Sequence, residues 1–386
     1  MVVVIISHFS IFLSPLTYAV GAGRLWTSAA EMFFLLSGIT FSVVRSKDVA
    51  NNFSRVLTKT WRRALSLYLI NFLVVLASLA IAFWLSARGH AYYMPASLPT
   101  DSFWQIMVNT LTLKYGFGWA SFLMYYGLFL LVAPFALKAL YSRAWIAVPL
   151  FSGSLFILSA WHPLAGSPYL FFFVWQVYFF MGMILGRFRL EILGRYYNLS
   201  NHTAKVLSAA VVSLTAIVLM LSALISFKSQ TIAARIPHFG WFMAHQSQID
   251  NYLQHNRAGL LRPFVSLLVL AGVYIVYQKN KNFLQARTGN FFNTIGQNSL
   301  TVFVAQALII PLLAALPLPH NLVLLNIDIT LVLVGLMWLA AQHASLFSHV
   351  KNSMSSLWVS LANLGYLMVS STKNVIAKLN SPEIDY

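Results

Sequence analysis

The sequence predicts an all-α fold, a polytopic integral membrane helical bundle of about ten transmembrane helices. Three observations predict it. Apolar residues fill 59% of the 386 positions and charged residues only 9%, against about 25% charged in an ordinary soluble domain. The apolar runs recur at about 20 residues, the length that crosses a bilayer as a helix. They lack the strict two-residue alternation of an outer-membrane strand, and the basic residues collect between them.

The ten spans are expected at about 1–20, 29–44, 64–87, 119–137, 145–160, 169–186, 206–227, 260–277, 299–316 and 322–341. Residues 1–12 resemble a signal peptide in apolarity. No basic n-region precedes them and no small-residue cleavage site follows, so they are read as the first span. Residues 102–113 are expected to form a short interfacial helix. Residues 343–386 are expected to be a cytoplasmic tail with amphipathic stretches such as 354–368, separate from a membrane domain over 1–342.

A net charge of +17 would suit nucleic acid if it were clustered on one soluble element. Here it lies in loops, which points to topology and anionic lipid instead. Of the 25 lysines and arginines, 18 fall in one set of alternate loops and the tail, from Arg45 to Arg63, at Lys138 and Arg143, from Arg187 to Lys205, from Lys279 to Arg287, and at Lys351, Lys373 and Lys378. The richer side is cytoplasmic by the positive-inside rule, so both termini are expected inside. The Asn52, Asn198 and Asn201 sequons fall on that side and are chance matches. The larger outer loops are then 88–118 and 228–259. The second is polar, with His245, Gln246, Gln248 and His255, and its Trp241 could stack on a sugar ring or anchor the loop at the interface.

The absence of cysteine excludes disulfides, thiolate metal sites and a thiol nucleophile. No glycine-rich phosphate loop, H-E-x-x-H or G-x-S-x-G run occurs, so a soluble-type ATPase, zinc enzyme or hydrolase is unsupported. No metal site is expected. There is no internal repeat of the kind many transporters carry.

Three groups remain as candidates for chemistry. His8 lies in the first apolar run, where an ionisable residue marks function by default, and imidazole suits a general base. The structural alternative is a neutral histidine bonded to a neighbouring helix. Glu31 opens the second span, where the helix dipole favours an acid; it could also orient His8 from across a short hairpin. Arg55, Lys59, Arg62 and Arg63 share one helical face leading into the third span. That stripe suits a polyphosphate such as coenzyme A, or serves as an ordinary positive-inside flank.

His8, followed by Ala30-Glu31-Met32-Phe33-Phe34-Leu35-Leu36-Ser37-Gly38, resembles the OpgC group of membrane proteins, which succinylate periplasmic glucans and fall within the acyltransferase family 3 type. Further blocks follow in order: Arg62-Arg63 with Leu67-Tyr68, Met124-Tyr125-Tyr126 with Pro134, and Trp175-Gln176-Val177-Tyr178-Phe179-Phe180-Met181-Gly182. Then come Leu261-Arg262-Pro263 and Ile295-Gly296-Gln297-Asn298-Ser299-Leu300-Thr301-Val302-Phe303. The family has an arginine about ten residues before the histidine, and this chain begins seven before His8, so a reading frame extending upstream of Met1 is expected. Ser7 and Ser28 stand where the family tends to have acids.

The resemblance implies an O-acyltransferase of the bacterial inner membrane. It would move an acyl, possibly succinyl, group from a cytoplasmic acyl-coenzyme A to a hydroxyl of a periplasmic or extracellular glycan. No cofactor is bound; acyl-coenzyme A is a co-substrate, and the partners are donor, glycan and lipid. His8 would take the hydroxyl proton and Glu31 would orient or charge-stabilise His8. Arg55, Arg62 and Arg63 would hold phosphate. Ser37, Gln176 and Asn298 would serve the substrate or the thioester oxyanion, and Trp241 the glycan. The competing class is a non-enzymatic transporter or glycolipid flippase; a second enzyme reading is another membrane O-acyltransferase type using His343.

The charge split generates a topology prediction. A reporter fused after Tyr386 should read as cytoplasmic and one inserted beside Gln246 as external. A C-terminus found outside would overturn either the helix count or the orientation.

Overall fold

The computed structural model describes residues 1–8, 15–20, 25–89, 102–116, 121–161, 170–226, 253, 259–314 and 322–344. Two compact units divide the chain, Met1–Ala341 and Gln342–Tyr386. The second lies almost wholly outside the described residues, and with it the expected amphipathic tail.

Every regular element among the described residues is an α-helix. They are α1 (Val2–His8), α2 (Pro15–Ala19), α3 (Ala29–Asn51), α4 (Phe53–Ser86), α5 (Phe103–Leu111), α6 (Ser121–Leu140), α7 (Ala147–Trp161) and α8 (Leu170–Tyr197). Then follow α9 (Asn201–Ser226), α10 (Arg262–Thr288), α11 (Phe291–Gln297), α12 (Ser299–Ala314) and α13 (Val323–Gln342). Helix falls in each of the ten expected intervals, and α5 occupies the expected interfacial segment.

Six of the helices, α3, α4, α6, α8, α9 and α13, are long and apolar enough to cross a membrane; α7 and α12 hold shorter apolar stretches. The chain is thus an integral membrane protein with six spans by length and composition among the described residues, fewer than the ten expected. The first interval holds two short helices, α1 and α2, on either side of 9–14. Helix α10 has the length but runs on into Gln278, Lys279, Asn280 and Lys281, which dilutes its apolarity.

Local chemistry sets the helix starts. Ser28 caps α3, and Glu31 closes a capping box by accepting from the Ser28 backbone N–H at 2.9 Å, so two of the orphan donors are satisfied reciprocally. Asn52 ends α3 and caps α4 through Oδ1 on the Arg55 N–H at 3.0 Å. One residue therefore separates two long helices, and the basic stripe belongs to α4 itself. Pro263 stands in the first turn of α10, where its missing N–H costs nothing.

Helices α3 and α8 form the most extensive pair. In lipid, helices gain nothing from hiding apolar surface from each other, so close backbone approach becomes the main attraction. Small residues permit it. A Cβ on Gly182 would stand 2.1 Å from the Leu35 carbonyl oxygen, and one on Gly38 would stand 2.0 Å from that of Phe179. Gly186 lies one turn beyond Gly182, against Ile39 and Ser42. The G-x-x-x-G spacing of Gly182 and Gly186 faces the small-x-x-x-small spacing of Gly38 and Ser42.

A layer of aromatic rings fills the space above this crossing. Phe34 meets Phe122 at 4.5 Å, Phe129 at 5.1 Å and Trp175 at 5.5 Å between ring centroids. Large apolar side chains elsewhere, such as Leu150, Phe151 and Leu324, are exposed, as a lipid-facing surface requires.

The α3–α8 crossing yields a stability prediction. Gly182→Ala should lower the unfolding free energy in detergent by about 1–3 kcal/mol or more, the cost of overpacking. Gly194→Ala, on the same helix with open space around it, should stay within about 0.5 kcal/mol of the parent. Equal thermal stability of the two variants would remove the close-approach argument.

Candidate functional site

Helix α3 places Glu31 two residues into its first turn, where the side chain is fully buried (0% exposed). Arg262, on the first turn of α10 and 3% exposed, donates Nε–H to Glu31 Oε1. Ser266, one turn further along α10, donates to Glu31 Oε2 at 3.1 Å. With the Ser28 N–H, the carboxylate accepts from three donors. The Tyr178 hydroxyl of α8 faces the same cluster of Glu31, Arg262 and Ser266, and Thr27 joins it through a 2.9 Å hydroxyl–hydroxyl bond to Ser266. Arg262 Nη1 also donates to the Leu253 carbonyl at 2.7 Å, which ties Leu253 to the pair. Unpaired, either charge would be very costly at this depth; together and hydrogen-bonded they are tolerated.

His8 ends α1. Its Nδ1 lies 2.9 Å from the side-chain amide of Gln306 on α12, and Phe303, one turn earlier on α12, presents its ring edge-on at 6.3 Å. His8 thus meets α12, whereas Glu31 meets α3, α8 and α10. A train of rings joins the two neighbourhoods. Phe303 lies 5.3 Å from Phe122 and Phe122 lies 4.5 Å from Phe34, one turn below Glu31.

Arg55, Lys59, Arg62 and Arg63 are all exposed on α4. None is in an ion pair among the described residues. Arg63 stands about three turns into the helix and sets its guanidinium 5.7 Å from the Tyr126 ring centre. Tyr126 in turn meets Phe33 at 5.6 Å, and Phe33 meets Phe122 at 4.9 Å. The basic stripe and His8 are therefore the two ends of one aromatic seam: Arg63, Tyr126, Phe33, Phe122, Phe303, His8.

The expected oxyanion residues fall differently. Gln176 is buried on α8 and binds Ser152 of α7 twice. Its Oε1 accepts from Ser152 Oγ at 2.7 Å and its Nε2 donates to the Ser152 carbonyl at 2.9 Å; the second N–H goes to Phe173 O at 3.2 Å. Both donors are engaged, so the amide joins two helices and has none left for a substrate in this arrangement. Asn298 sits at the break between α11 and α12, donating to Thr294 O at 3.1 Å. Ser37 is half-buried on α3, and His343 is exposed beyond α13. Trp241 lies outside the described residues. No group of three or more metal-ligating side chains occurs among the described residues.

Arg262 and Tyr178 stand inside the family-like blocks of the sequence with no local sign of a role, and Ser266 and Gln306 lie in apolar runs outside those blocks. Gln306 carried a usable signal: a lone amide in an apolar run is notable by the criterion that singled out His8. Nothing in the sequence pairs Glu31 with a residue 231 positions away.

Spanning helices that enclose a carboxylate, a guanidinium, a histidine and several amides define a polytopic membrane protein with a polar centre inside its bundle. The chain belongs to the OpgC family, whose model, described as OpgC protein, matches residues 8–349. The match begins at His8 and takes in every helix from α2 to α13. It is consistent with a transferase and points to a membrane glucan-modifying acyltransferase. No curated protein and no solved structure matches the chain.

The buried pair yields a prediction. Arg262→Met should destabilise the protein by about 3–5 kcal/mol, because it leaves a buried carboxylate uncompensated. Adding Glu31→Gln should restore part of that loss. A double-mutant cycle on thermal unfolding in detergent reads the coupling, and strictly additive losses would mean the two charges do not depend on each other.

Proposed function

We propose that this protein is a membrane-embedded O-acyltransferase that moves an acyl group, with succinyl the leading candidate, from a cytoplasmic acyl-coenzyme A to a glycan hydroxyl on the outer side. One observation carries the reading within the family. His8 is held inside the bundle at one end of an aromatic seam whose other end is the exposed basic stripe of α4. Arg55, Arg62 and Arg63 supply guanidinium forks for the donor's phosphates. The seam gives the donor's acyl arm an apolar route toward His8.

The step is a single acyl transfer. The His8 imidazole removes the proton of the glycan hydroxyl, and the oxygen attacks the thioester carbonyl carbon. The C–O ester bond forms, the C–S bond breaks, and coenzyme A leaves as a thiolate that takes the proton back from the imidazolium. Withdrawal of the proton as the oxygen attacks is ordinary general-base catalysis. Glu31 acts at a distance: bound to Arg262, it fixes the first turn of α3 and, through Arg262, Leu253. The 228–259 segment, with Trp241, is the proposed acceptor contact. Its polar and aromatic composition supports this assignment.

The test is release of coenzyme A thiol by the purified chain, with succinyl-coenzyme A as probe donor and a glucan oligosaccharide as acceptor. His8→Ala should abolish transfer while the protein still inserts and binds donor. His8→Gln, which takes no proton at neutral pH, should lose on the order of 10²–10⁴-fold. Arg62→Gln with Arg63→Gln should raise the donor KM about tenfold or more, with little change in abundance. A transporter would release no thiol and would tolerate His8→Gln.

A further inference from the structure

We infer that Asn71, buried in the middle of α4, is a donor-binding residue. Its Oδ1 accepts the N–H of the amide nearest the thioester in the arm of an acyl-coenzyme A. The inference rests on the acyl-coenzyme A reading above and adds the point at which the arm is held.

From Ala64 to Ser86, α4 holds no charged residue, and Asn71 is the one amide in that run. Asparagine favours caps and turns over helix interiors, and a buried polar group is costly unless it is hydrogen-bonded. The structure leaves Asn71 only 1% exposed. Its Oδ1 is buried and has no hydrogen-bond partner among the described residues. The buried amide of Gln176, by contrast, is bound at both ends. The desolvation cost of the Asn71 oxygen is offset only when a donor reaches it.

Its position suits one donor. Asn71 lies eight residues beyond Arg63, about 12 Å along the α4 axis. The arm of coenzyme A carries two amides between its phosphates and its sulfur. An extended chain covers about 1.2 Å per bond, so the second amide nitrogen stands about nine bonds, or about 11 Å, from the phosphate oxygen. The sulfur follows about three bonds later, or about 4 Å. With its phosphates on Arg62 and Arg63, the donor brings that N–H to the level of Asn71.

The surroundings fit the same ligand. Ile70, Val74 and Val75, beside Asn71 or one turn on, share an apolar cluster with Val304 and Ala307 of α12. Those two residues directly follow Phe303 and Gln306, which meet His8. A thioester held from Asn71 therefore lies near the level of the imidazole. The cluster offers no counter-charge, so the complement to Oδ1 is a neutral N–H carried on a slim chain. The arm supplies that group.

Two probe donors test it on the purified full chain, with a glucan oligosaccharide as acceptor and thiol release as readout. One is the succinyl thioester of N-acetylcysteamine, which has the amide and no phosphate. The other is the S-pentyl thioester, of equal chain length without the amide. The parent should prefer the first in kcat/KM, and Asn71→Leu should reduce that preference about tenfold. Its unfolding temperature in detergent should stay at or above the parent's, because an apolar residue of similar size removes an unpaired buried acceptor. Asn71→Ala should reduce the preference equally and serves if Asn71→Leu does not fold. Arg62→Gln with Arg63→Gln should leave the preference as in the parent, since neither probe carries phosphate. A parent that prefers the S-pentyl probe, or Asn71 variants that keep the parent's preference, overturn the inference and leave the acyltransferase reading standing. If the parent releases thiol neither from succinyl-coenzyme A nor from either probe, that reading falls, and this inference with it.

Discussion

The Glu31–Arg262 pair sets the terms for the part of the bundle around it, because a buried site offers no water to either charge. Each must be satisfied by protein. Glu31 accepts from Arg262, Ser266 and the Ser28 backbone, and Arg262 reaches on to the Leu253 carbonyl. The pair therefore ties together the first turn of α3, the first two turns of α10 and Leu253. Because Glu31 also completes the capping box of α3, the same carboxylate that holds the tertiary contact starts the helix. Removing it would disturb both levels of structure at once.

Below that pair, order comes from shape more than from polarity. The Gly38, Gly182 and Gly186 contacts bring α3 and α8 to backbone distance, which fixes the height of Phe34 relative to Trp175 and Phe179. Phe34 touches Phe122, and Phe122 touches both Phe33 and Phe303. The ring next to His8 is thus positioned through contacts that lead back to the α3–α8 crossing. Polar side chains away from the candidate site follow the same logic of mutual satisfaction. Gln176 and Ser152 satisfy each other across α7 and α8, so an amide that looked available in the sequence serves as a fastener.

The bundle also separates roles by exposure. The cations of the α4 stripe are exposed and without ion-pair partners among the described residues, a costly arrangement for stability alone, since Arg55 lies in the first turn of α4 where the helix dipole repels it. Arg262, by contrast, is buried and neutralised. Guanidinium groups with equal intrinsic chemistry are thus divided into one that holds the fold and others left free to meet an anion.

The sequence by itself determined the all-helical membrane class, the approximate place of most of the helices and the exposed basic stripe. These depend on local properties: apolar run length, capping residues such as Ser28 and Asn52, and charge between runs. It also singled out His8 and Glu31, because an ionisable group in an apolar run is conspicuous wherever the chain later goes. Only the tertiary structure decided their partners. Arg262 and Gln306 stand 231 and 298 positions away, and contacts of that separation leave no periodic trace in one sequence. Gln176 shows the same limit from the other side: its type suited an oxyanion donor, but packing of α7 against α8 had already engaged both its N–H groups. Residue type is written locally, whereas the availability of a hydrogen bond depends on which helix faces it.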